Sequence, residues 1–295
     1  MLKGSTPTVR GMLWMAAGGA LFTLLNAIMK KLALELDPWL VGFLRYLLGG
    51  MVMLAPALHL GVRELWPKAP KLQLARCLFH SAGMMFWFAA LPIVTLAELT
   101  AMGFSGPIFI CLGAVLFLSE RMTGARWVAI LVGFAGVLLV VNPFDAGGFS
   151  GISKGMLLML ASVPLTAASF LVAKVLTRHE RSDIMVLWNH LLVSLGLLPF
   201  ALGWWTMPST GQWALLVVCG FIGAGGHYCL TRSFRVADIS AVQSVKFLEL
   251  VWAAILGFFM FGTLPAGWTL AGGIVILVST LWLARRESRV SRAGT

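Results

Sequence analysis

Charge is what this chain has least of. Only 11% of its 295 residues are Asp, Glu, Lys or Arg, against roughly 25% in soluble domains, which excludes a water-facing surface over most of its length. Acidic residues are scarcer still, 11 against 22 lysines and arginines, and tyrosine occurs twice. The four cysteines, Cys77, Cys111, Cys219 and Cys229, fall in or beside apolar stretches without metal-type spacing, so they are expected to pack and not to form disulfides. Long polar segments are missing, which leaves no room for a soluble catalytic domain. No phosphate-cradling glycine loop with lysine and serine or threonine is present, which argues against ATP-driven pumping. His59, His80, His179, His190 and His227 are scattered over spans and loops, so neither a metal set nor an acid, base and nucleophile cluster is expected, and no cofactor is implied.

What is there is apolar. The composition is 59% hydrophobic and the mean hydropathy is +0.92, so lipid must solvate most of the chain. A spanning helix needs about 20 apolar residues. Stretches of that length run over about 11–31, 38–60, 74–92, 95–118, 124–141, 155–175, 184–203, 212–231, 239–261 and 268–284, separated by turns such as Asp37-Pro38, Asn142-Pro143 and Gly147-Gly148. The expected fold is an all-α membrane protein of ten transmembrane helices. Lys3 and Arg10 before the first apolar run resemble a signal peptide, but that run is too long for one, and it is kept as the first span.

The net charge of +11 does not point to nucleic acid, because the basic residues sit between spans. Starting with the N-terminus inside, 17 of the 22 lysines and arginines fall on the cytoplasmic side, Lys30, Lys31 and Lys154 fall outside, and Arg45 and Lys246 lie within spans. The positive-inside bias then predicts both termini in the cytoplasm of a cell that keeps this chain in its inner membrane.

The second half restarts the first. Gly11-Met12-Leu13-Trp14-Met15 aligns with Gly155-Met156-Leu157-Leu158-Met159, and the same offset pairs Ala17 with Ala161, Leu21 with Leu165 and Lys30 with Lys174. The units are residues 1–145 and 146–295. Each holds five spans, an odd number, so the second is expected upside down relative to the first. Inverted repeats allow a site at their interface to open to one side and then the other, which is the physical case for a transporter; a duplicated scaffold has no evident use for the inversion.

Ionisable residues at mid-bilayer are costly and usually face a cavity. Gln243, Lys246 and Glu249 recur every three residues through the ninth span, with Trp252 continuing the face. Lys246 and Glu249 either pair with each other or leave Glu249 as a substrate or proton site. Arg45, beside Tyr46, either binds a carboxylate or ties backbone carbonyls. Glu98 either caps the fourth span or meets a cationic substrate. His80 and Trp87 belong to an aromatic third span, and Asn26, Ser162 to Pro164 and Pro107 mark polar or helix-breaking points at depth.

Gly106-Pro107, Leu118-Ser119-Glu120-Arg121, Arg126-Trp127 and the run Gly133 to Leu139 leading to Asn142-Pro143 resemble the EamA-type members of the drug/metabolite transporter superfamily over nearly the whole chain. The second half departs from that pattern: Glu249 stands where the family often has proline, and no glutamate occurs near Gly262-Thr263. Phe247 to Val251, with Phe86-Trp87, is similar to the S-adenosylmethionine uptake transporters within the superfamily. The resemblance implies two inverted five-helix repeats with a substrate site between them. The expected function is a secondary transporter, not an enzyme, moving an amino acid, an amino-acid derivative such as S-adenosylmethionine, or a similar metabolite by alternating access. The alternatives are a riboflavin or drug-like compound carrier of the same fold and, further off, a membrane-embedded enzyme or scaffold. Substrate contacts are expected from Trp87, Gln243, Lys246, Glu249 and Trp252, and cavity support from Asn26, Arg45, Tyr46, His80 and Pro107. The expected partners are the bilayer, a small-molecule substrate and a coupling proton, in a monomer or homodimer.

Overall fold

The computed structural model describes residues 6–59, 61–90, 93, 102–141, 154–261 and 267–293. Ten long helices occur among these residues: α1 (Pro7–Leu32), α2 (Pro38–Leu58), α3 (Pro70–Ala90), α4 (Gly106–Leu118), α5 (Gly124–Val141), α6 (Lys154–Leu176), α7 (Ser182–Gly203), α8 (Thr210–Val236), α9 (Leu248–Phe261) and α10 (Gly267–Ala293). A short 3₁₀ turn, Val62–Leu65, interrupts the α2–α3 connection. No strand occurs among the described residues. Five helices (α1, α2, α6, α7 and α8) are long and apolar enough to cross a membrane by length and composition alone, and α4 and α5 add shorter apolar helices. The start of the fourth expected span, Glu98 and Asn142-Pro143 lie outside the described residues.

Helix starts follow local chemistry. Thr6 Oγ1 accepts the Val9 N–H ahead of Pro7, and Asp37 Oδ1 accepts the Trp39 N–H at 2.8 Å ahead of Pro38. Ser209 and Gln212 form a reciprocal capping box that opens α8. At the far end of α4, Ser119 takes the left-handed conformation (φ 54°), so that the Glu120 N–H reaches back to Ala114 O at 3.1 Å.

The ninth span is not the continuous helix its apolar run suggests. A turn of helix, Ile239–Val242, passes into a 3₁₀ turn, Gln243–Phe247, before α9 begins. Neither proline nor glycine causes this break. The physical cause is tertiary: Glu120 accepts the N–H groups of Ile239 and Ser240 at 3.0 and 3.1 Å, and Phe247 is packed against Gly133 of α5. Since residues three apart eclipse in a 3₁₀ turn, Gln243 and Lys246 still share a face.

Helix pairing repeats across the two halves. The α3–α6 contact has a counterpart in α8–α1, α2–α8 in α7–α3, and α4–α6 in α9–α1, while α2 packs on α7 and α5 on α10. For these pairs, exchanging each helix for the one five places along returns a pair of the same set, whereas α1–α10 and α6–α8 have no counterpart of similar extent.

The connections gather at two ends. At one, Ala69 N–H donates to Glu180 Oε1 at 2.6 Å, the Trp188 indole donates to Leu65 O at 2.7 Å, and the Ser233 hydroxyl donates to Gly11 O at 2.7 Å. Leu283 of α10 joins Met12 of α1 in one buried cluster. At the other end, the Gln212 amide donates to Glu35 Oε2 at 2.8 Å. The first end carries Arg10, Lys68, Arg121, Arg126, Arg178, Arg181 and Arg235, so the charge asymmetry expected from the sequence is one end of the bundle against the other.

Candidate substrate cavity

Between the halves lies a narrow crevice. Met15, Gly18, Gly19 and Phe22 of α1 form one wall, Phe170 of α6 with Leu230 and Phe234 of α8 form another, and Gln243, Lys246 and Glu249 close it from the broken ninth span. Apolar walls with a few convergent polar groups are what small-molecule sites present. The break is what places the polar groups. The 3₁₀ turn carries Gln243 and Lys246, and α9 starts one residue before Glu249.

Gly19 lets Glu249 approach α1, since a Cβ there would stand 3.1 Å from Glu249 Cγ. The Thr23 hydroxyl donates to Gly19 O at 2.9 Å and reaches Glu249 O at 3.4 Å, fixing the two backbones to each other. The Lys246 ammonium sits 5.6 Å from the centroid of Phe170. Among the described residues no ion pair within 4.0 Å joins Lys246 to Glu249. Both side chains line the crevice, and Lys246 is close enough to act electrostatically on Glu249 without a contact ion pair.

A second polar cluster lies behind the aromatic wall. The Tyr46 hydroxyl is 2.8 Å from His80 Nε2, and His80 Nδ1 is 3.4 Å from Ser169 Oγ. His190 and His227 stand 5.0 Å apart by ring centroid, and Tyr46 is 5.3 Å from His190. The three histidines that look scattered in the sequence are thus gathered from α3, α7 and α8 around one tyrosine of α2. Phe22 meets His227 edge-on at 5.0 Å and Phe170 tilts against His80 at 6.1 Å, so these two rings separate the cluster from the cavity. No group of three or more His, Cys, Asp or Glu among the described residues is placed to hold a metal.

The remaining expected site residues lie elsewhere. Trp87 is half-buried and packs at right angles to Phe88 at 5.0 Å. The half-buried Trp252 has an indole nitrogen without a partner. Asn26 is exposed on α1, and Pro107 is buried at the start of α4. None of the four lines the cavity. The phenylalanines that do line it, Phe22, Phe170 and Phe234, gave no sequence signal beyond ordinary apolar periodicity. All four cysteines are buried.

At the basic end, Glu120 receives the Ser240 hydroxyl at 2.7 Å in addition to its two N–H groups, Arg126 Nη2 reaches Asp238 Oδ2 at 3.2 Å, and the Lys174 ammonium donates to Phe234 O at 2.7 Å. These contacts tie the ends of α4, α5 and α6 to the link between α8 and the ninth span.

An all-helical bundle with membrane-length apolar helices and a charged cavity between matching halves defines a polytopic membrane protein. The chain matches the EamA-like transporter family over residues 9–142 and again over 153–285, and it belongs to that family. It is 33% identical to a riboflavin transporter of Rhizobium johnstonii over 96% of this chain and 94% of that one. It is 28% identical to an S-adenosylmethionine uptake transporter of Rickettsia bellii, over 90% of each. A pseudopaline exporter of Pseudomonas aeruginosa is 26% identical over 90% of this chain and 93% of its own length. These relatives are transporters, not enzymes. One crystal structure, 19% identical, matches the fold with a TM-score of 0.79 over 96% of this chain and 97% of that one.

Proposed function

We propose that this chain is a secondary transporter that carries a small organic metabolite across the inner membrane, binding it in the cavity between two inverted five-helix repeats. The observation that carries this reading is the presence of Lys246 and Glu249, without a contact ion pair between them, in one apolar-walled crevice. Each charge costs about 2.5 to 3.5 kcal/mol to hold in a membrane on insertion scales, and a substrate with complementary charges offsets that cost. The doubled family match and the exchange pattern of helix pairs support the inverted repeat. Five helices per half make the inversion follow from the odd count, and both termini then face the cytoplasm with the basic end.

The substrate class is an amino acid or amino-acid derivative such as S-adenosylmethionine: Glu249 suits a cationic group, Lys246 an anionic one, and Phe22 and Phe170 an apolar or planar body. Glu249 is also the group that would carry a coupling proton. Counterflow in proteoliposomes tests the reading. Vesicles are loaded with unlabelled amino acids, S-adenosylmethionine or riboflavin, and entry of the matching labelled compound is followed. Accelerated entry for the first two classes is expected, while exchange of riboflavin alone would replace the substrate assignment.

A further inference from the structure

Arg45 is 4% exposed, lies in the middle part of α2, and has no counter-ion among the described residues. Its guanidinium carbon stacks 4.1 Å over the Tyr46 ring, its Nε has no hydrogen-bond partner, and no carboxylate lies within 4.0 Å of it among the described residues. The bundle makes space for it: a Cβ on Gly223 of α8 would stand 3.2 Å from Arg45 Nε. It does not tie a helix-end carbonyl. The nearby Arg76, by contrast, has a backbone acceptor, Met185 O in the first turn of α7 at 3.0 Å. A buried charge without a partner is strongly unfavourable, and arginine's planar fork matches a carboxylate in two parallel hydrogen bonds.

The surroundings are cationic or neutral on every side. Tyr46 comes from α2, Arg76 and His80 from α3, His190 from α7 and His227 from α8. His190 and His227 each direct Nδ1 at a carbonyl of their own helix, Val186 O at 2.9 Å and Gly223 O at 3.0 Å. A carbonyl only accepts, so both Nδ1 atoms carry the proton and donate. His190 Nε2 and both polar atoms of the Asn189 amide are then buried without partners. Among the described residues this cluster holds two guanidinium groups and no acid, so what it lacks is an anion.

We propose that Arg45, backed by Tyr46 and the three histidines, is the subsite for the carboxylate of the transported metabolite, reached from the cavity when the rings of Phe22 and Phe170 swing aside. Glu249 then holds the cationic end of the same molecule in the neighbouring cavity. The biological meaning of this subsite rests on the transport reading, but its test does not require transport.

Thermal unfolding of the purified full chain in detergent is followed with sodium benzoate or acetate, and with chloride and phosphate at equal ionic strength. Both carboxylates are expected to raise the midpoint by about 2–4 °C near saturation, with chloride and phosphate doing less than half as much. Arg45→Met is expected to unfold at or above the midpoint of the ligand-free wild type, because it removes an uncompensated charge, and to lose the carboxylate shift. Arg45→Lys, which keeps charge but not the fork, is expected to keep less than half of it and serves as the readout should Arg45→Met fail to fold. The proposal is overturned if wild type shows no carboxylate shift, if inorganic anions shift it equally, or if the variant that folds keeps the full shift. Counterflow separates the two readings: exchange of S-adenosylmethionine that survives Arg45→Met sinks the subsite and leaves transport standing. A carboxylate shift seen in wild type and lost in Arg45→Met, with wild type exchanging none of the pools, leaves the subsite and sinks the transport reading.

Discussion

Glu249 rests against the bare face of Gly19, with 3.1 Å between the Glu249 Cγ and the position a Cβ on Gly19 would take. This one approach brings a carboxylate of the second half into contact with the first helix of the first half, inside the cavity. Gly19→Val places branched carbon there and displaces the carboxylate. The variant is expected to insert and fold, since valine lacks glycine's backbone freedom, but to lose about tenfold or more in exchange rate. Proteoliposome counterflow beside a thermal-unfolding control measures both.

Glu249→Gln keeps the shape and removes the charge. Because no ion pair to Lys246 is lost, its stability is expected to stay within about 1 kcal/mol of wild type, while exchange falls about tenfold or more. A large fall in unfolding temperature would instead show that the carboxylate holds the fold.

Glu120 is the residue that organises the broken ninth span, through the Ile239 and Ser240 N–H groups and the Ser240 hydroxyl. Removing it in Glu120→Ala is expected to cost about 1.5–3 kcal/mol, the usual range for hydrogen bonds to a charged group. Glu120→Gln, which keeps acceptor oxygen but not charge, should recover part of this. The comparison of the two unfolding midpoints checks it.

Much of the fold was legible because its punctuation is local. Asp37-Pro38 marks a boundary in the sequence and caps α2, while the caps at Thr6 and Ser209 start α1 and α8 a few residues ahead of their apolar runs. The break at Gln243–Phe247 was not legible, since its causes are Glu120 and Gly133, which lie in the other half of the chain. The site divides in the same way. Gln243, Lys246 and Glu249 stood out because polar residues every three positions in an apolar run are conspicuous. The assembly of His80, His190 and His227 was hidden, because it depends on how four helices pack. Trp87 drew notice as an aromatic in an aromatic span, yet its ring packs on Phe88 away from the cavity.

Orientation is open to a direct check. Single cysteines at Gln212 and Arg178, in a background without the four native cysteines, sit at opposite ends of the bundle. Impermeant thiol reagents are expected to label Gln212→Cys only from outside the cell and Arg178→Cys only after the membrane is opened or inverted. The reverse pattern would place the basic end outside, against the positive-inside rule.

The central claim is that the cavity holding Glu249 opens alternately to the two sides of the membrane. Met15 lines it from α1 and is 3% exposed, so Met15→Cys in the same background reports on access to it. Its labelling rate should be measured with an impermeant thiol reagent in right-side-out and in inverted vesicles, with and without the compound found to exchange. Reaction from both sides, slowed by that compound, is the predicted result; reaction from one side alone under every condition would contradict alternating access.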